Sequence, residues 1–441
     1  MPRFFARIGL LFGCTLALAS IASAATLCVN PSGSHGCYSK IQLAVNAATP
    51  GSVIHVAAGT YKEKVTIGKR LEVIGAGAGH SIIDATGHGN GVLVDGYHHH
   101  GLTDVSVIGF TVKNALYEGI LVVSAAEVTI ADNHILDNDK IGPVFTGANQ
   151  GCKGQPAYET DETGDCGGAL HLIGTSRSLV SGNYMTGNAD GLLISDETAE
   201  SRDNLVIHNV LINNPLECGI VMASHPPVGA MPPAFAPHHG VNHNTITENV
   251  STANGVKVGG SGVGMFSDGA GPGTVSGNII LRNKLTGNGL GGVSLHTHVG
   301  PAFGLPADNM SNNQIIGNYI SGNLQDTADT ATPGPVGINI NSGDGGSPVR
   351  GTVIDQNVIR DEYDDIAINT PAEVEIHFND LLGTHYGIAD VCAFDKATIC
   401  TGRIDAVDNF WGCAGGPGAA GCSQVSGSNI RFTPWLTSDI H

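Results

Sequence analysis

The chain has 441 residues and a formal charge of −19, with 13% charged and 41% hydrophobic residues and 63 glycines. That composition excludes a disordered chain. The acidic excess argues against nucleic acid and anionic membranes, and disfavours bare polyanions such as pectate or alginate unless cations or a local basic patch screen them.

At the N-terminus, Arg3 and Arg7, the apolar run from Ile8 to Leu18 and the tripeptide Ala22-Ser23-Ala24 have the layout of a cleavable signal peptide. Residues 1–24 are therefore set apart from the fold, and the mature protein is expected to be secreted or periplasmic. No later stretch approaches about 18 uninterrupted apolar residues, so membrane insertion is not expected.

Cys28 and Cys37 open the mature chain, and Cys152/Cys166, Cys392/Cys400 and Cys413/Cys422 follow as close pairs. In an exported protein these read as four loop-closing disulfides. Cys218 is left over and is expected to pack as a small apolar residue. Residues Ile41 to Ala48 read as a short amphipathic helix capping the first coil.

Self-similarity then dominates. The pattern N-x4-N recurs at Asn133/Asn138, Asn183/Asn188, Asn209/Asn214, Asn249/Asn254, Asn283/Asn288 and Asn318/Asn323, with weaker relatives from Asn357, Asn379 and Asn409. Between the copies stand glycine-led apolar runs at Gly91, Gly119, Gly191, Gly219, Gly262, Gly292 and Gly337. A third short run precedes each asparagine pair, as in Leu205-Val206-Ile207. Three short strands per repeat make one coil of a solenoid. The expected fold is all-β: a single right-handed parallel β-helix with a short N-terminal capping helix and loop inserts on one side. The recurrent Asn fits a corner of left-handed backbone, and stacked coils would hydrogen-bond these amides along the axis, a structural role. The expected divisions are the signal peptide (1–24), cap and first coil (25–60), β-helix (61–405) and a closing segment (406–441) that holds Trp411 and Trp435.

The segment from Cys28 to Asp84, with IQLAVNAATPGSVIHVAAGTYKEKV and LEVIGAGAGHSIIDATG, resembles the opening of pectate-lyase-like right-handed β-helix proteins. The closing Asn409-Phe-Trp-Gly, Gly416-Pro417 and Pro434-Trp-Leu is similar to exported β-helix proteins related to the maturation factor of nitrous oxide reductase. That superfamily includes lyases, hydrolases, esterases, epimerases, tailspikes and proteins with no known reaction, so the resemblance implies a fold and not a reaction. Asp364-Asp365-Ile-Ala-Ile-Asn resembles the paired-Asp strand of polygalacturonases, yet no Gly-His-Gly or Arg-Ile-Lys partner follows. The later Asp and Arg signatures of pectin methylesterases and the Asp-Pro-His signature of mannuronan epimerases are missing as well.

Inserts follow the glycine-led strands at Ser195 to Asp203, Ser224 to Gly240, Ser267 to Gly273, His296 to Asn309 and Asn341 to Arg350. Stacked, they form one wall beside a groove suited to an extended ligand. Counting from each strand glycine aligns Asp196 and Glu197 with Ser224 and His225, Ser267 and Asp268, and Thr297 and His298. Asp196, Asp268, His225 and His298 are the candidate catalytic residues, and Glu197, Ser224, Ser267 and His296 the candidate substrate contacts. Asp196 and Asp268, two coils apart, would have backbones roughly 9.6 Å apart, nearer the ~6.5–9.5 Å carboxyl spacing of inverting glycosidases than the ~5–5.5 Å of retaining ones. His225, Asp268, His296 and His298 are alternatively ligands for a divalent metal ion. Strand ends also favour Ser, Thr, Asp and His for turn-forming reasons. The histidine runs at His98-His99-His100 and His238-His239 read as solvated turns. Two functions follow: an exported protein that binds an extended polysaccharide and is a candidate to cleave it, or a non-catalytic exported scaffold for surface attachment or for a metal or protein partner.

Overall fold

The computed structural model describes residues 24–140, 155–156, 158, 166–224, 239–267, 273–297, 306–325, 334–342, 347–390 and 402–440. The chain winds into stacked coils that build three long parallel sheets, of 14, 12 and 11 strands, and a two-stranded one among the described residues. The one α-helix described, Ile41–Ala47, buries Ile41, Ala44 and Val45 against the first coil. Its first N–H groups are capped by the Glu63 carboxylate, which accepts from Ile41 and Gln42 at 2.9 and 3.0 Å.

Most strands of the 14- and 11-stranded sheets are three residues long, with only the middle side chain turned inward. Val107, Ile130, Val180, Val206, Ile246, Ile280, Ile315, Ile354 and Ile376 stack in register along the 14-stranded sheet, each at most 1% exposed. Burying one such side chain contributes on the order of 2 kcal/mol, and the stack repeats that gain at every coil. The shortest rungs between coils span 22 residues and the longest 50, the difference being insert length.

Asparagine columns hold the corners. Asn209 accepts the Asn183 N–H and side-chain amide on Oδ1 at 3.0 and 2.9 Å, and its own amide donates to Val180 O and Asn249 Oδ1. The same bonds run from Asn133 to Asn409 and, one strand later, from Asn138 to Asn323. A third column, not seen in the sequence pattern, joins Asn204, Asn244, Asn278 and Asn313.

The left-handed residue at each corner is the one before the asparagine, not the asparagine itself. Asp132, Asp137, His208, Asn213, Glu248 and Arg282 have φ between 53° and 58°. The bend is made at an outward residue, which frees the next side chain to turn inward.

The 12-stranded sheet, built from the glycine-led runs, differs. Its outer face is buried too: Leu93, Leu121, Val123 and Ile173 pack with Tyr158, and Leu193, Val221, Ala223 and Phe266 pack with Cys218. That explains its nearly unbroken apolar strands. Cys218 is 2% exposed, and its sulfur accepts the Ser261 N–H at 3.0 Å.

The sheets continue through both end segments, from Thr26–Val29 to Ile430–Arg431. Trp411 is fully buried in the closing coil, with Trp435 packed against the core. Disulfides join Cys28 to Cys37 and Cys413 to Cys422. Cys166 is disulfide-bonded; its expected partner Cys152, with Cys392 and Cys400, lies outside the described residues.

Candidate functional site

The strand alignment drawn from the glycines matches the observed register: Ser224, Ser267 and Thr297 sit on neighbouring strands as direct partners. Asp196 lies beside Ser224, whose hydroxyl donates to Asp196 Oδ2 at 2.9 Å. The direction of these side chains differs from a groove lining. Asp196, Ser224 and Ser267 are 0% exposed and Thr297 1%. Asp196 Oδ2 also accepts the N–H groups of His239 and Gly240, so this carboxylate ties the returning chain to the strand end.

Glu197 is 6% exposed. His296 faces outward, partly exposed, with its ring 4.1 Å from that of Phe266 on the preceding coil. His225, Asp268 and His298 lie outside the described residues. Among the described residues, no three His, Cys, Asp or Glu side chains come together as a metal site.

Two titratable groupings emerge that the repeat pattern does not announce. On the outer face of the 12-stranded sheet, Glu118, His171 and Ser195 of three successive coils form a line. His171 Nε2 is 2.7 Å from Ser195 Oγ, and His171 Nδ1 is 3.4 Å from Glu118 Oε1. All three are buried, at 2%, 0% and 0%. Burial pushes the Glu118 carboxyl up to about 8, against the opposing effect of the Gly168 N–H that it accepts at 2.8 Å. A protonated glutamate is a poor orienting base, and a fully buried serine has no route to substrate. The line is a buried polar bridge between coils.

The second grouping stands towards the C-terminal end of the same sheet, where Val336, Asp364 and Tyr386 are in register. Glu362 occupies the place of the next asparagine in the Asn138 column, and Asn323 donates its backbone N–H and its amide to that carboxyl at 3.1 and 2.8 Å. Asp365 falls where earlier coils have an inward glycine, and accepts the Gly383 N–H at 2.8 Å. Asp364 lies near His385, with Oδ1 3.9 Å from Nδ1.

Burial raises all three acids: Glu362 to about 7, Asp364 to about 6, and Asp365 well above its ordinary value, with Glu362 and Asp364 adding to the last by like-charge repulsion. His385 stacks on Tyr363 at 4.4 Å and contacts Tyr386 at 3.8 Å. Tyr363 is 47% exposed. Asp364, 4% exposed and half protonated near pH 6, thus adjoins an accessible aromatic surface. The sequence signals were present: Glu362 interrupts the asparagine spacing after Asn357, and Asp364-Asp365 stood out as a pair. What was missing was the neighbour, because His385 arrives from the next coil.

The family described as "Right handed beta helix region" matches residues 73–262. No curated protein matches the chain in sequence. Among solved structures, the pre-mature bacteriophage phi29 gene product 12 aligns with a TM-score of 0.52 and 11% identity, over 89% of this chain and 47% of that one. The Dettilon tailspike protein aligns at 0.50 and 18%, over 81% and 64%. The catalytic unit of the thermostable GH87 α-1,3-glucanase from Streptomyces thermodiastaticus aligns at 0.49 and 16%, over 91% and 66%. The chain spans less than two thirds of the length of each of these three structures. The likeness is one of fold, and the protein is a right-handed parallel β-helix.

Proposed function

We propose that this is an exported protein that binds an extended polysaccharide along the 12-stranded side of the helix, and that the site at Tyr363, Asp364, His385 and Tyr386 docks and cleaves it. The observation that carries the reading is the Asp364 carboxyl, raised to about 6 beside the exposed Tyr363 ring. Sugar rings stack on aromatic faces, and a carboxyl kept protonated in a desolvated site can donate its proton to the glycosidic oxygen as the C–O bond breaks, with water adding to the anomeric carbon. In this reading Asp364 is the acid, Tyr363 and Tyr386 supply stacking surface, and His385 orients the carboxyl. Asp196 instead fixes an insert, and His225, Asp268 and His298 remain candidates for contacting the chain of sugars farther along the groove.

Reducing-end release from neutral and acidic polysaccharides, with and without calcium, tests this. Asp364→Asn should abolish release, and Tyr363→Ala should weaken binding about tenfold. A folded protein that binds nothing on a glycan array and releases no reducing ends refutes it.

A further inference from the structure

A cavity of about 490 Å³ opens on the first coils, at the corner where later coils carry their inserts, and Pro50, Lys69, Arg70, His99, His100 and Thr103 are among its lining residues. Lys69 and Arg70 sit in the turn between strands Val65–Ile67 and Leu71–Gly75. The histidines sit in the equivalent turn of the next coil, after Val92–Asp95. Among the described residues, none that lines the cavity is acidic, in a chain whose formal charge is −19.

The walls are shaped for these side chains. The His99 ring lies so close over Gly68 that a Cβ there would be 2.2 Å from His99 Cδ2. Arg70 passes over Gly51, where a Cβ would sit 3.0 Å from Nη2 and where φ is +86°. Lys69 Nζ is held by the carbonyls of Asn46 and Ala48 at 3.2 and 3.0 Å, which fixes its charge at the rim and leaves a further N–H. Of the two acids in the neighbouring turn, Asp95 is engaged by the His98 ring and N–H, and the exposed Asp104 accepts the Thr103 hydroxyl at 3.1 Å. Arg177, Arg202, Arg360, Arg403 and Arg431 each face a carboxylate, whereas Arg70, like Arg282 and Arg350, pairs with none among the described residues.

We propose that this cavity binds a compact oxyanion: the carboxylate, sulfate or phosphate of a ligand about the size of a sugar. Arg70 offers the forked donor that such groups accept, Lys69 adds a second positive charge, and the His99 and His100 rings can offer N–H donors. The volume falls within the range of small-ligand sites. Nothing in this proposal depends on polysaccharide cleavage at Asp364, and Asp364→Asn should leave the cavity's binding unchanged.

Calorimetry on the mature protein at low salt tests it, with inorganic phosphate, sulfate and glucuronate as probes and glucose as the neutral control. Saturable binding of an oxyanion, with none for glucose, is expected. Tighter binding of glucuronate than of phosphate identifies a sugar acid as the source, and the reverse order a free oxyanion. Arg70→Gln, at an exposed position, should weaken the preferred probe at least tenfold while the circular dichroism spectrum stays unchanged, and His99→Gln should weaken it by a smaller factor. Absence of saturable heat for all three anions, binding of glucose as tight as that of the anions, or an unchanged Kd in Arg70→Gln overturns the proposal.

Discussion

Asn323 hands its column of hydrogen bonds to Glu362: where every earlier rung is an amide accepting from an amide, the Glu362 carboxyl accepts the Asn323 backbone N–H at 3.1 Å and side-chain amide at 2.8 Å. An acid thereby replaces a neutral rung inside the helix, 1% exposed.

This replacement makes stability depend on pH in a defined direction. Burial lifts the Glu362 carboxyl from its ordinary 4.5 to about 7, so the folded state holds the proton more tightly than the unfolded chain. Its contribution is fully present below 4.5 and is lost as the pH rises through about 7. Glu362→Gln keeps an acceptor and removes the titration. The variant should match the parent at pH 5 and exceed it at pH 8, by on the order of 2–3 kcal/mol. Denaturant unfolding at the two pH values measures this, and parallel pH profiles for the two proteins would sink the assignment.

Asn209 is the third of nine asparagines in the longest column and bonds to the coils on both sides of its own. Asn209→Ala leaves the Asn183 backbone N–H and one N–H of its amide without their acceptor in a site closed to water. A loss of about 2–5 kcal/mol is expected, larger than for one exposed hydrogen bond, because the orphaned donors stay desolvated. Urea unfolding checks it, and a loss below about 1 kcal/mol would show that the column relaxes or admits water.

His171 bridges Glu118 and Ser195 with no exposure of its own. His171→Ala should destabilise by about 2–4 kcal/mol through cavity formation and the lost Ser195 bond. Any polysaccharide release should persist in the surviving folded fraction. Complete loss of activity in folded His171→Ala would instead make this buried line catalytic.

Mass spectrometry of unreduced peptides should recover Cys28 linked to Cys37 and Cys413 to Cys422, each nine residues apart, along with Cys152 to Cys166 and Cys392 to Cys400. Local closures of this size stabilise by about 2–4 kcal/mol each, so reduction should loosen loops and ends before the coils melt. A major bridge through the buried Cys218 would contradict the pairing.

The sequence by itself determined the coil. The N-x4-N spacing and the glycine-led runs repeat because every coil must meet the same corners and the same interior, so local pattern and global fold carry one signal. It also determined the helix at Ile41, the residues that share a register, such as Ser224, Ser267 and Thr297, and the close cysteine pairs at the two ends. Only the tertiary structure decided which way those register partners point. Gly119 and Ile120 both face the interior, so the strand enters with two inward positions in succession, and simple alternation loses its phase there. Asp196 consequently turns in, where a count along the strand gave it no direction. The tertiary structure alone also joined Asp364 to His385, and Lys69 and Arg70 to His99 and His100. Each pairing crosses from one coil to the next at positions outside the glycine-led strands, where counting along the repeat gives no register.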